Sequence, residues 1–69
     1  MTFAKALKQA RERLGMTQME LSRALHVSFS TVNRYENGKH YPNPIFMDAI
    51  KAYFASRSIV LEFETETEA

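Results

Sequence analysis

The sequence predicts an all-α fold of four helices, followed by a candidate C-terminal β-strand. Three observations predict it: apolar residues recur at three- and four-residue spacing, a capping residue precedes each periodic run, and strict alternation appears only after Ser58. The 69 residues suffice for one small domain. Its core must rely on apolar packing, because the chain has no cysteine for a disulfide or a thiolate zinc site.

Helix 1 is predicted over residues 3–14, where apolar side chains recur on one face. Thr2 can cap its start. Gly15 follows the last periodic residue, at the place where a helix commonly ends in a left-handed conformation that glycine adopts at little cost.

The next two helices are short and close together. Thr17 and Glu20 have the spacing of a capping box, which starts helix 2 and predicts it over about residues 18–25. Ser28 can cap helix 3, predicted over about residues 29–36. Because only a three-residue turn separates them, the two helices are expected to form helix-turn-helix geometry.

Helix 4 follows a short loop. Asn43 can cap it, and Pro44 suits its first helical position. The broad apolar face predicted for it consists of Ile45, Phe46, Ala49, Ile50, Tyr53 and Phe54.

The C-terminal segment has a different period. Ile59, Leu61 and Phe63 alternate with more polar positions, which favours a strand, and residues 65–69 are expected to form a frayed acidic end. We therefore divide the chain into a domain of residues 1–57 and a segment of residues 58–69, a strand or acidic tail that could dimerise. A strand needs a partner, and the simplest is the same segment of a second copy, antiparallel about a two-fold axis. A disordered tail or an irregular extension of helix 4 is the alternative.

Charge is distributed unevenly along the chain. Residues 1–57 hold nine basic and four acidic side chains, a net +5, whereas residues 58–69 hold four glutamates, a net −4. A basic body with an acidic tail suits a surface that binds a polyanion, with the tail pointing elsewhere. Ordinary solvated surface charge explains the same pattern.

Several classes of function find no support in the sequence. The chain has two histidines and no cysteine, and it lacks a phosphate-binding glycine loop, a paired-carboxylate spacing and a nucleophile motif. We expect no enzymatic activity, no cofactor and no metal. We also expect a cytoplasmic protein, because no apolar stretch is long enough for a membrane span and the start is charged throughout.

The run LKQARERLGMTQMELSRALHVSFSTVNRYENGKHYP resembles the DNA-binding domain of phage-repressor and Cro-like (XRE-type) helix-turn-helix regulators. The resemblance covers roughly residues 5–56 and implies a compact, lambda-repressor-like domain of four helices. Two positions depart from the family pattern: Ser22 replaces a usual Ala, and His26 replaces a usual Gly. Since His is enriched among non-glycine residues with positive φ, His26 is expected to be left-handed.

The resemblance implies that helix 3 is the recognition helix and lies in the major groove. The candidate base contacts are Phe29, Ser30, Asn33 and Arg34. Arg34 can offer a bidentate fork to guanine, and Phe29 can contact a thymine methyl. Ser30 is explained equally well by the polar outer face of any amphipathic helix, and Asn33 lies at the margin of the face.

The resemblance also implies contacts with the DNA backbone, for which the candidates are Gln18, Thr31, Asn37, Lys39 and His40. Such contacts position a protein on DNA without specifying sequence. For Thr31 and His40, a plain surface role stays open. Arg11 and Glu36 match the family's interior ion pair, which is structural.

The function that these implications favour is a sequence-specific regulator that binds double-stranded DNA, a repressor acting by occupying a pseudo-palindromic operator as a homodimer. An antitoxin or adaptor, whose acidic tail engages a protein partner, is the alternative. A third interpretation, the targeting domain of a larger DNA enzyme, would need sequence beyond Ala69.

Overall fold

The computed structural model describes residues 1–64, which contain four α-helices. They are α1 (Phe3–Arg13), α2 (Gln18–Leu25), α3 (Phe29–Glu36) and α4 (Pro44–Ala55). The predicted all-α fold class is confirmed, and α2 and α3 have the predicted bounds. Helix α1 ends one residue earlier than predicted, because Leu14 serves as its C-cap. No helix within residues 1–64 is long and apolar enough to cross a membrane.

The helices begin at the predicted capping residues. The Thr17 side chain accepts a hydrogen bond from the Glu20 amide at 3.0 Å, and Glu20 Oε1 accepts one from the Thr17 amide at 2.8 Å. Asn43 Oδ1 accepts from the Phe46 amide at 2.8 Å, with Pro44 in the first helical position. Since these bonds satisfy donors that no helical carbonyl can reach, local sequence determines where α2 and α4 begin.

The turn between α2 and α3 contains the predicted left-handed residue. His26 has φ 60° and ψ 41°, and the Val27 amide donates to the Ser22 carbonyl at 3.0 Å. This bond closes α2 with a left-handed C-terminal motif. The His26 side chain is exposed, so the conformation does not depend on a packed imidazole.

Helix α4 buries part of the predicted face: Ile50 and Phe54 are buried as predicted, and Phe46 and Tyr53 are partly buried against the core. Met47, Ile50 and Phe54 are its buried residues, which lie on one stripe of the helix. The prediction was wrong for Ile45, whose exposed fraction is 84%, and for Ala49, which is also exposed. The reason is that α4 turns Met47 inward, which rotates Ile45 and Ala49 toward solvent.

Residues 1–64 of the single chain contain no β-strand. The segment of residues 59–64 has no regular secondary structure, but Ile59 and Leu61 are buried and Val60 is 73% exposed, so the predicted alternation of faces is present. Its apolar side packs into the core of the same chain, and the Phe63 ring meets the Phe3 ring edge-on at 5.2 Å. The predicted frayed end, residues 65–69, lies outside the described residues.

Phe3 connects the two ends of the domain. It is one of the largest fully buried side chains, which are Phe3, Phe54, Leu7, Leu21, Ile50 and Val32. The ring of Phe3 packs edge-on against Tyr35 of α3 and Tyr41 of the following loop, at 5.9 and 5.3 Å between ring centroids. Helix α3 is therefore held from behind by α1, which leaves its other face open.

Candidate nucleic-acid interface

Helix α3 presents one exposed face and buries the other. Val32 and Tyr35 are buried in the core. Phe29, Ser30 and Arg34 are exposed, and 44% of Phe29 is accessible even though it is an aromatic side chain. The two buried residues fix the orientation of the helix, so three of the four predicted base contacts lie on the accessible side, whereas Asn33 is partly buried.

The start of α3 is a cluster of hydroxyl groups. The Ser28 side chain accepts a hydrogen bond from the Thr31 amide at 3.1 Å, as expected for an N-cap. The Ser28 hydroxyl also lies 2.8 Å from the Thr31 hydroxyl and 3.1 Å from the Ser30 hydroxyl. Ser30 and Thr31, both candidate DNA contacts, are thus held close to the cap, where free backbone amides of the helix favour binding of an anion.

Four side chains form one chain of hydrogen bonds between α2 and α3. Gln18 Nε2 donates to Glu36 Oε1 at 2.9 Å, and Asn33 Nδ2 donates to Gln18 Oε1 at 3.2 Å. Asn37 Nδ2 in turn donates to Asn33 Oδ1 at 3.0 Å. We call Glu36, Gln18, Asn33 and Asn37 the amide relay. It connects the first residue of α2 with the C-terminal half of α3, and no signal in the sequence predicted it.

The relay ends at an ion pair that links α1 to α3. Arg11 Nε lies 2.8 Å from Glu36 Oε2, and Arg11 Nη2 donates to Glu36 Oε1 at 3.1 Å. The side chains are 11% and 2% exposed, respectively. The hydrogen bond to the Glu36 carboxylate raises the pKa of Arg11 above its usual value, against the opposing effect of burial. The structure therefore brings together the two residues assigned to an interior ion pair.

The loop after α3 carries the remaining candidates. Lys39 is exposed, and its amide donates to the Arg34 carbonyl at 2.8 Å, which holds the loop against the end of α3. The His40 ring stacks on the Tyr35 ring, with 5.4 Å between centroids and an interplanar angle of 3°. His40 is thus placed beside α3 by packing, a contact that the sequence analysis did not predict.

The electrostatics of this surface favour an anionic ligand. Glu36 is the sole acid within α3, and its charge is compensated by Arg11. Arg34, within α3, and Lys39, in the loop that follows it, contribute exposed positive charges. Within residues 1–64, no group of three or more His, Asp or Glu side chains could hold a metal ion.

Comparison with known proteins identifies a family match and a similar transcriptional regulator. A family model described as "Helix-turn-helix" matches residues 7–57. The chain is similar to "HTH-type transcriptional activator BcrR" of Enterococcus faecalis, with 34% identity over 55 residues. The alignment covers 80% of this chain but 27% of the relative, so the chain spans about a quarter of the length of that curated protein. No solved structure matches the chain significantly.

Proposed function

Because the chain belongs to the helix-turn-helix family, we propose that it is a transcriptional regulator that binds double-stranded DNA sequence-specifically. The observation that carries the proposal is the orientation of α3, which Val32 and Tyr35 anchor while Phe29, Ser30 and Arg34 stay exposed. A helix held in this way fits the major groove. The similarity to a protein named as a transcriptional activator supports the same role.

The exposed face of α3 reads the base edges in this proposal. Arg34 donates two hydrogen bonds to guanine O6 and N7, which is the most common specific contact in the major groove. Phe29 contacts the methyl group of a thymine, and Ser30 adds a hydroxyl to a neighbouring base edge. Asn33 lies at the margin of the same face.

The residues around α3 fix its register on the DNA backbone. Gln18, at the first position of α2, lies beside amides that no helical carbonyl satisfies, a preferred place for phosphate. The other proposed backbone contacts are Thr31, Asn37, Lys39 and His40. Because these contacts involve phosphate and sugar, they position α3 without contributing sequence preference.

The simplest mechanism for such a DNA-binding surface is to regulate transcription by occupying an operator. A domain bound across an operator blocks access of other proteins to that DNA, so we propose repression in the cytoplasm without any enzymatic step. The relative is named as an activator, and a transcription assay with a reporter downstream of the selected site distinguishes the two signs of regulation. A fall in transcription supports repression, and a rise contradicts it.

We also propose that the regulator is a homodimer, in which residues 1–57 bind DNA and residues 58–69 dimerise. Within the described residues, the amides of Val60, Leu61 and Phe63 make no hydrogen bond, and Val60 is 73% exposed. An antiparallel pair centred on Val60 would place each Ser58 opposite the partner's Glu62, which keeps the glutamates apart. Two recognition helices about 34 Å apart would then match a pseudo-palindromic operator.

A protein-binding role is the second candidate. Glu62 and Glu64 are exposed at the C-terminal side of the described residues, where a basic partner could contact them. Such a partner would engage this acidic segment in the absence of DNA. Binding that depends on Glu62 and Glu64 but not on Arg34 would favour an antitoxin or adaptor.

Selection from a pool of random duplexes tests the proposed function. We expect enrichment of a pseudo-palindromic sequence. We also expect the logarithm of the affinity to fall linearly with the logarithm of the salt concentration, with a slope that corresponds to several released ions. Absence of both enrichment and salt-dependent duplex binding would contradict the proposal. Sedimentation of the full chain tests the dimer separately, because a monomer at micromolar concentration contradicts it.

A further inference from the structure

The direction of every bond in the amide relay follows from Glu36. A carboxylate accepts hydrogen bonds and cannot donate them, so Gln18 must turn its Nε2 toward Glu36. Gln18 Oε1 then faces Asn33, which must present Nδ2 and leave Oδ1 for the amide nitrogen of Asn37. Since Arg11 holds Glu36 from the opposite side, one buried charge orients three amides.

Each amide nitrogen of the relay retains one hydrogen. The relay uses a single N–H of Gln18, Asn33 and Asn37, so three donors remain near the surface at a spacing fixed by the bonds between them. Asn37 is exposed, whereas Gln18 and Asn33 are partly buried. Phosphate oxygens are acceptors only, so an array of N–H donors suits the DNA backbone.

Asn33 is poorly placed to read a base within this relay. An asparagine that recognises adenine needs its nitrogen and its oxygen together, for the donor and acceptor at adenine N6 and N7. Both ends of the Asn33 amide already have partners, because Nδ2 donates to Gln18 and Oδ1 accepts from Asn37. A bidentate contact with adenine would have to share or break these two bonds, which fix the orientation of the amide.

We propose, on the basis of the proposed DNA-binding function, that Asn33 is a positioning residue and not a base contact. It links α2 to α3 and holds Gln18 and Asn37 with their free N–H groups toward successive phosphates. Glu36 acts through the same relay by setting the orientation of the amides. The relay thus fixes how the recognition helix sits on the backbone, while Arg34 supplies sequence preference.

The relay is tested first in the DNA-free protein with Asn33→Asp. The new carboxylate has nearly the shape of the asparagine side chain but cannot donate to Gln18 Oε1. We expect the side-chain amide NMR signals of Gln18 to shift and to exchange faster with solvent. Asn43, which caps α4 and lies outside the relay, is the control in the same spectrum. Unchanged Gln18 signals would overturn the relay.

The second test measures DNA binding by Gln18→Ala, Asn33→Ala and the double variant, with the selected duplex and an unrelated duplex of equal length as probes. Asn33→Ala should weaken binding to both probes by a similar factor, about threefold to tenfold, and leave the selected sequence unchanged. Gln18→Ala should cost much less in the Asn33→Ala background than alone, because the two residues act through one network. Gln9→Ala, at an exposed amide of α1, is the matched control and should change nothing.

The outcomes separate this inference from the function on which it rests. If the wild-type chain binds a specific sequence and Asn33→Ala changes the preference at one base pair, the proposed DNA-binding function is retained. The positioning role of Asn33 is then overturned. Independent, additive effects of Gln18→Ala and Asn33→Ala overturn it as well. A wild-type chain that binds no duplex overturns the proposed function itself, and with it the phosphate role of the relay.

Discussion

The guanidinium of Arg11 holds the carboxylate of Glu36 through two hydrogen bonds, of 2.8 and 3.1 Å, and so joins α1 to the last turn of α3. Arg11 Nη1 also donates to the Met16 carbonyl at 2.8 Å, in the segment before α2. One side chain therefore fixes three helices relative to one another. Because Glu36 also accepts from Gln18, the same contact reaches the candidate DNA-binding surface.

Replacing Glu36 alone should destabilise the domain strongly. Glu36→Ala leaves the Arg11 guanidinium, which is 11% exposed, without a compensating charge. We expect a loss of about 3–5 kcal/mol in the free energy of unfolding, measured by urea denaturation. The control is the double variant Arg11→Met with Glu36→Leu, which should lose much less because no buried charge remains. Equal losses in the two variants would contradict this account.

Stability should decrease at alkaline pH because of Tyr35. Burial raises the pKa of Tyr35 above its ordinary value of 10.0. The folded chain therefore binds the phenol proton more tightly than the unfolded chain does. Its contribution to stability is fully present below about pH 10 and is lost as the pH rises through the folded-state pKa.

Urea denaturation of Tyr35→Phe at increasing pH measures this effect. The variant keeps the buried ring and loses only the hydroxyl, so the stability at neutral pH should change little. The alkaline decline should be smaller than in the wild-type chain. Tyr41→Phe, at an exposed ring, is the matched control for the loss of a tyrosine hydroxyl. An identical decline in Tyr35→Phe would disprove the assignment to Tyr35.

The C-terminal segment should contribute to stability through alternate residues. Leu61 is buried in the core, so Leu61→Ala should cost about 2–4 kcal/mol in the free energy of unfolding. Val60→Ala should cost much less than Leu61→Ala, because the Val60 side chain does not enter the core of its own chain. Thermal or urea denaturation of the two variants provides the comparison. Similar small losses at both positions would mean that the segment does not pack on the domain.

The local elements of the fold could be predicted because their signals lie within a few residues of one another. The Thr17–Glu20 capping box and the Asn43 cap act over three residues, and apolar spacing shows where a helix lies. The inward face of α4 could not be predicted in the same way, because the choice between Ile45 and Met47 depends on where the neighbouring helices lie. The contact of Phe63 with Phe3 is likewise tertiary.

The same distinction applies to the candidate site, where the outward-facing residues could be predicted from the sequence and the contacts between helices could not. Residues such as Arg34 could be assigned to an outward face because Val32 and Tyr35 had to face the core. The amide relay could not, since Asn33 and Gln18 are fifteen residues apart in sequence and meet only after α2 and α3 have packed. Side-chain hydrogen bonds between helices leave no periodic pattern in a sequence.

His26 should tolerate glycine. The residue is exposed and has φ 60°, a conformation that glycine adopts without the Cβ penalty. Relief of that strain is opposed by the greater entropy of glycine in the unfolded chain, so His26→Gly should change the free energy of unfolding by less than about 1 kcal/mol. His26→Val, with a β-branched side chain in the same conformation, should be clearly less stable. A loss of several kcal/mol for His26→Gly in denaturant titration would show that the imidazole itself stabilises the turn.

The central claim is that α3 reads DNA sequence through its exposed face, and parallel selections from one random duplex pool test it most directly. The wild-type chain should enrich a single site, and Arg34→Ala should lose about 1–3 kcal/mol of specific binding together with the preference at one guanine. Lys39→Ala should weaken all sequences alike and lower the salt slope by about one ion, without altering the enriched site. If Arg34→Ala instead enriched the same site as the wild-type chain, with the same preference at every position, the assignment of α3 as the reading helix in this register would be contradicted.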